Sequence, residues 1–96
     1  MAHEISLTSI IEVSKTQIST DALGDQIVVL DIDAGIYYNI IESGVSIWKL
    51  IMEPRSATEI VDAITEEYDV ARTLCEQDVI TYLQQLLELG LIDVHG

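Results

Sequence analysis

Two histidines, one cysteine and 17 carboxylates are the side chains of this 96-residue chain best suited to ligation, nucleophilic attack or proton transfer. Their spacing supports none of these. His3 and His95 lie beside opposite termini, without the paired Cys/His pattern that closes a tetrahedral zinc site. Cys75 falls in the first turn of an expected helix, where the dipole can lower a thiol pKa, but no dedicated base accompanies it. A cysteine held for packing is the simpler reading. Serine, histidine and aspartate are all present, yet no GxSxG-type elbow raises a serine for attack. Gly24, Gly35, Gly44, Gly90 and Gly96 stand singly, so no glycine-rich loop cradles a phosphate. The acidic residues do not follow calcium-loop spacing. The expectation is a protein without catalytic residues, cofactor or metal.

Charge narrows the partners. Four Lys+Arg against 17 Asp+Glu give a formal net charge of −13. Nucleic-acid binders cluster cations to neutralise phosphates and release counterions. Here Lys15, Lys49, Arg55 and Arg72 are scattered one by one. The surface should repel nucleic acid and anionic lipid and favour neutral or basic partners. Most of the carboxylates need no role beyond solvation. No apolar run approaches the roughly 18 residues of a membrane span. The start, MAHEISLTSII, lacks the basic and apolar regions of a secretory signal. One cysteine makes no internal disulfide, consistent with the cytoplasm.

The elements that would carry a binding surface can be read from patterning. A hydrophobic fraction of 49% in 96 residues suffices for one compact core, so residues 1–96 are expected to form a single domain. Residues 5–14 alternate poorly and read as part of an extended arm over 1–16, with room for a short strand. Residues 17–23 are a weak strand candidate, and Gly24-Asp25 a hairpin-type turn. Residues 26–32, rich in β-branched side chains, read as a central strand. Asp33-Ala34-Gly35 turns the chain into a third strand over 36–41. The expected meander is antiparallel, and its last strand is an edge unless something covers it.

The remainder reads as three helices. The first covers 43–52, with Ile47, Trp48 and Ile51 on one side, and stops at Glu53-Pro54. Ser56-Ala57-Thr58-Glu59 has capping-box form and opens a second helix. Its apolar stripe is Ala57, Ile60, Val61, Ile64 and Tyr68. Thr73-Leu74-Cys75-Glu76 has the same form and opens a third helix, which closes at Gly90, a left-handed C-cap. Residues 91–94 are a candidate terminal strand. The third helix is unusual: Val79, Ile80, Tyr82, Leu83, Leu86, Leu87 and Leu89 occupy about half its circumference, wider than a usual stripe. Such a band can pack on both the sheet and the second helix. Alternatively, one margin near Asp78, Tyr82 and Leu89 can face a ligand groove. On the third strand Ile36, Tyr38 and Ile40 point one way, and Tyr37, Asn39 and Ile41 the other. The tyrosines are compatible with ordinary sheet positions and with a binding surface. An open strand edge can recruit an extended peptide by β-augmentation.

Several segments in order give the chain a family resemblance. They are Ile27-Val28-Val29-Leu30-Asp31, Gly35-Ile36-Tyr37-Tyr38, Gly44 followed by Ile47-Trp48-Lys49-Leu50, Thr58-Glu59-Ile60, Tyr68-Asp69-Val70, Asp78-Val79 and the Leu83 to Leu91-Ile92 ending. From Ile18 to Val94 the sequence resembles the PqqD-like leader-peptide recognition domains (RiPP recognition elements). Within that family it is most similar to the free-standing recognition proteins of lasso-peptide biosynthesis. The resemblance implies an α+β, winged-helix-like fold, with a three-stranded antiparallel sheet followed by three helices. It also implies non-catalytic binding of the leader segment of a ribosomally made precursor, added as a strand to the third strand. The wall of that cleft would be the third helix. Carried onto this sequence, the peptide-binding residues would be Ile36, Tyr37, Tyr38, Asn39 and Ile40 on the strand, with Asp78, Val79, Tyr82, Leu83 and Leu86 on the helix.

The implied partners are the precursor leader and, in lasso pathways, a separate leader peptidase and an ATP-dependent cyclase. The sequence departs from the family in one place. Members commonly carry Leu-Asn after the double tyrosine where this chain has Ile40-Ile41, so the cap of the first helix is expected to pass to Ser43. Three rival readings stay open. One is a PqqD-type peptide chaperone for a radical-SAM enzyme. Another is an orphan adaptor domain. A winged-helix transcription factor is the third, disfavoured by the charge and by the lack of a basic recognition helix.

Overall fold

The computed structural model describes residues 5–14, 18–23 and 26–95. The β-branched run expected to be central forms β3 (Gln26–Asp31), flanked by β2 (Ile18–Leu23) and β4 (Ile36–Ile40). All pairing is antiparallel, in the order β2-β3-β4. Register runs from Ile27↔Ile40 to Asp31↔Ile36 on one side and from Ile18↔Asp31 to Leu23↔Gln26 on the other. The Gly24-Asp25 turn lies outside the described residues. Alternation sends Ile27 and Val29 into the core. β3 ends at Asp31, one residue earlier than patterning suggests, and Ile32 is exposed in the turn. Asp31 explains the stop. Its carboxylate accepts from the Ala34 N–H at 3.1 Å, and its carbonyl accepts from the Gly35 N–H at 2.8 Å. Gly35 completes the turn at φ +70°, a conformation open to glycine without steric cost.

Three helices follow: α1 (Ser43–Ile51), α2 (Ala57–Glu67) and α3 (Arg72–Glu88). Ile47, Trp48 and Ile51 form the buried side of α1, and Ala57, Ile60, Val61 and Ile64 that of α2. The capping box of α2 is complete. The Ser56 hydroxyl accepts from the Glu59 N–H at 3.1 Å, and the Glu59 carboxylate accepts from the Ser56 N–H at 3.0 Å. The hydrogen bonds from Ser56, backbone first, lower the Glu59 pKa. At the far end of α3 the Gly90 N–H bonds the Leu87 carbonyl and the Leu91 N–H the Leu86 carbonyl, both at 3.0 Å. With Gly90 at φ +76°, this is a Schellman closure.

Two helix starts differ from expectation. Ser43 does not cap α1. It is the first helical residue, and the cap position is Glu42, whose side chain makes no capping bond. Glu42 sits at φ 56°, ψ −133°, a conformation costly for a residue with a Cβ. α3 begins at Arg72, two residues before the start that Thr73 as cap would set, with Ala71 as cap and no side-chain capping bond. The reason is Arg72, whose guanidinium ties Asp62 of α2 (2.7 Å) and Glu76 one turn along (3.3 Å), drawing residue 72 into the helix.

The largest departure is a second sheet. The expected arm supplies β1 (Ile10–Val13), the centre of a β5-β1-β6 sheet with β5 (Arg55–Ser56) and β6 (Ile92–His95). Residues 7–9 also cross the start of α2. The Leu7 carbonyl accepts from the Thr58 N–H (3.0 Å) and hydroxyl (2.7 Å), and the Ser9 carbonyl accepts from the Ala57 N–H (3.0 Å). These bonds satisfy donors that a helix start otherwise leaves to solvent. Both sheets and all three helices close on one core, in which Ile11, Val29, Trp48, Ile51, Ile60, Leu83 and Leu91 are fully buried.

Candidate functional site

β4 pairs with β3 on one side, and among the described residues no strand covers its other side. Its backbone therefore presents a row of unused donors and acceptors. Side chains along it grade from solvent to core: Tyr37 is 69% exposed, Tyr38 packs against the core, and Ile40 is buried. The strand runs at Ile41 into a groove of about 910 Å³.

The groove has three walls. Ile41, Glu42, Ser43, Gly44 and Ile47 form the first, at the end of β4 and the start of α1. Ile64 of α2 and the connection Tyr68 to Ala71 form the second. Leu74, Cys75, Asp78, Val79 and Tyr82 of α3 form the third. Ile47, Ile64, Cys75 and Val79 are buried, while Ile41, Tyr68, Val70 and Leu74 keep 36–60% of their surface exposed. An exposed apolar cluster gathered in a concavity makes this groove the candidate binding surface.

Helical geometry explains which α3 residues reach the groove. Cys75, Val79, Leu83 and Leu86 recur at helical spacing and form the buried stripe. Leu74, Asp78 and Tyr82, one position back at i, i+4 and i+8, form the neighbouring stripe that faces the groove. Thus Asp78, Val79 and Tyr82 meet at the groove. Leu83 and Leu86, expected at the pocket, are instead closed in the core at 0% and 3% exposure. Leu89, read from sequence at the groove margin, is exposed and lies outside the lining. Ile36, Tyr37, Tyr38, Asn39 and Ile40 lie on the open strand rather than in the groove, which begins where they end.

Several groove residues escaped the sequence reading. Periodicity places Tyr68 on the buried stripe of α2, but it is the C-cap of that helix, with extended backbone, and lines the groove. Val70 carries no periodic signal because it falls in the α2–α3 connection, and Leu74, in the first turn of α3, precedes the apolar band that begins at Val79. Gly44 had a local signal, a glycine in the first turn of a helix. A Cβ there would lie 2.6 Å from the Tyr82 hydroxyl and 3.3 Å from Ile40 Cγ2. Its bare backbone lets α1, β4 and α3 meet at one end of the groove.

The electrostatics do not prepare a nucleophile. Burial first, and then Asp78, pushes the Cys75 thiol up from its ordinary value, the reverse of the lowering that a helix start can give. Burial likewise raises the Tyr82 phenol. Both stay protonated at neutral pH. Among the described residues no group of three His, Cys, Asp or Glu side chains is placed to hold a metal, and no helix is long and apolar enough to cross a membrane. His95 lies in β6, 3.9 Å from Glu12, and His3 lies outside the described residues.

Comparison with known proteins agrees with this architecture. No curated protein matches the chain in sequence. Among solved structures, TbiB1 in complex with the TbiA(beta) leader peptide is similar at 30% identity, with a TM-score of 0.82 over 88% of this chain and 98% of that one. A lasso peptide synthetase B1 complexed with the leader peptide shares the fold at 24% identity, with a TM-score of 0.78 over 86% of this chain and 96% of that one. The winged-helix-like α+β arrangement expected from the sequence is therefore the fold observed. Residues 26–92, from the first residue of β3 to the first of β6, match the family described as Coenzyme PQQ synthesis protein D, and the chain belongs to the PqqD family.

Proposed function

We propose that this chain is a non-catalytic receptor for the leader segment of a ribosomally made precursor peptide, in a lasso-peptide pathway. The observation that carries the reading is the continuity of a strand edge, uncovered among the described residues, with an apolar groove. An extended leader pairs through its backbone with Ile36–Ile40 and sets its side chains against Asp78, Val79 and Tyr82. Leu83 and Leu86 hold α3 in place beneath them. Backbone pairing contributes affinity without reading sequence, and the groove supplies selection. The bound leader leaves the rest of the precursor free for a leader peptidase and an ATP-dependent cyclase. Support comes from the similar structure at 30% identity, which was solved in complex with the TbiA(beta) leader peptide.

The test is fluorescence anisotropy of a labelled leader, taken from the precursor encoded beside this chain, titrated with the protein and with a DNA duplex as control probe. Saturable leader binding without DNA binding is expected. A folded protein that ignores the leader would overturn the reading. The family match favours a second reading, delivery of a peptide to a radical-SAM enzyme. A neighbouring radical-SAM gene, in place of protease and cyclase genes, would select it.

A further inference from the structure

The groove is apolar in its depth and acidic at its rim. Glu42 at the start of α1, Asp69 in the α2–α3 connection and Asp78 on α3 bring one carboxylate to each wall. All three are exposed, and none is in an ion pair among the described residues. Among the described residues no lysine, arginine or histidine lines the groove. Arg72, at the mouth of the connection, is engaged by Asp62 and Glu76. A formal net charge of −13 adds a long-range field of the same sign.

From this complementarity we propose that the groove selects a cationic leader: a segment whose apolar side chains fill the groove and whose lysine or arginine is held at the rim by Glu42, Asp69 and Asp78. The proposal rests on the leader-binding reading and deepens it. An apolar groove alone would accept any extended hydrophobic segment. Carboxylates on three walls exclude acidic ones, because like charges brought together oppose binding more strongly than a missing attraction does. They also speed the encounter with a cationic segment.

Anisotropy with two proteins and two probes tests this. The proteins are the wild type and the triple variant Glu42→Gln, Asp69→Asn, Asp78→Asn. The probes are the native leader and the same leader with its lysines and arginines replaced by glutamine. Neutralising either partner should weaken binding about tenfold, the scale of two or three exposed ion pairs. Neutralising both should add little, because the same contacts are removed twice. Removing clustered carboxylates relieves repulsion, so the triple variant should melt no lower than the wild type. Independent losses, no losses, or a docking segment without lysine or arginine would overturn the proposal while leaving leader binding intact. A native leader that fails to bind the wild type overturns the parent reading, and this inference falls with it.

Discussion

At the residue scale the site turns on Gly44 and Tyr82. The Tyr82 ring is half-buried between the core and the groove, and its hydroxyl occupies the space that a Cβ at position 44 would need. Gly44→Ala would place a carbon 2.6 Å from that oxygen, well inside contact distance, so the ring or the start of α1 must move. Overpacking of this kind costs about 1–3 kcal/mol, and leader binding should weaken with the displaced ring. Tyr82→Phe removes the closest atom, leaving the ring carbon at 3.1 Å. The alanine should therefore cost less in the Tyr82→Phe background, a coupling that thermal or urea melts of the four proteins would measure. Equal cost in both backgrounds would show that the strain lies elsewhere in the first turn, where Glu42 already holds an unfavourable backbone conformation.

At the element scale β4 makes a prediction that side-chain substitutions cannot. In an antiparallel ladder each residue directs its N–H and C=O to the same side, and successive residues alternate. Of Ile36–Ile40, one parity bonds β3 and the other faces the open edge. A proline scan should split accordingly. At one parity the melting temperature falls while leader affinity per folded molecule holds. At the other, stability holds and affinity drops about 2- to 12-fold, the equivalent of one net hydrogen bond. Five positions with unchanged leader affinity would argue against strand addition. What was legible in the sequence follows the same division between local and distant causes. The β3–β4 hairpin, the buried faces of α1 and α2, the Ser56 capping box and the Gly90 closure all rest on residues near in sequence, and each was readable. The β5-β1-β6 sheet was not. Its β5 is two residues long and pairs Arg55 and Ser56 with Ile11 and Ile10, a contact no local periodicity announces. The site divides likewise. Asp78 and Tyr82 lie at the margin read from the wide band of α3, whereas Val79, Leu83 and Leu86 come to the pocket only through the family resemblance, and Leu83 and Leu86 are closed in the core. Periodicity could not bring Tyr68 and Val70 to the groove.

At the scale of the whole molecule, charge acts on folding and on binding with opposite signs. Seventeen carboxylates facing four Lys+Arg repel one another more in the compact state than in the expanded chain. Screening contracts from about 30 Å at 0.01 M salt to about 10 Å at 0.1 M, so added sodium chloride should stabilise the fold. A gain of 1 kcal/mol would raise the melting temperature by about 4–8 °C for a domain of this size. Trp48, the single tryptophan and fully buried, offers a fluorescence signal for that transition. The same screening weakens a cationic leader held by Glu42, Asp69 and Asp78. Over one salt series the melting temperature should therefore climb while leader affinity falls, and no general effect of salt on solubility or apolar contact produces that crossing. A flat or falling melting curve would mean that the carboxylates are already far enough apart to ignore one another. Leader affinity that rose with salt would assign the complex to apolar burial alone and leave the acidic rim without a part in recognition.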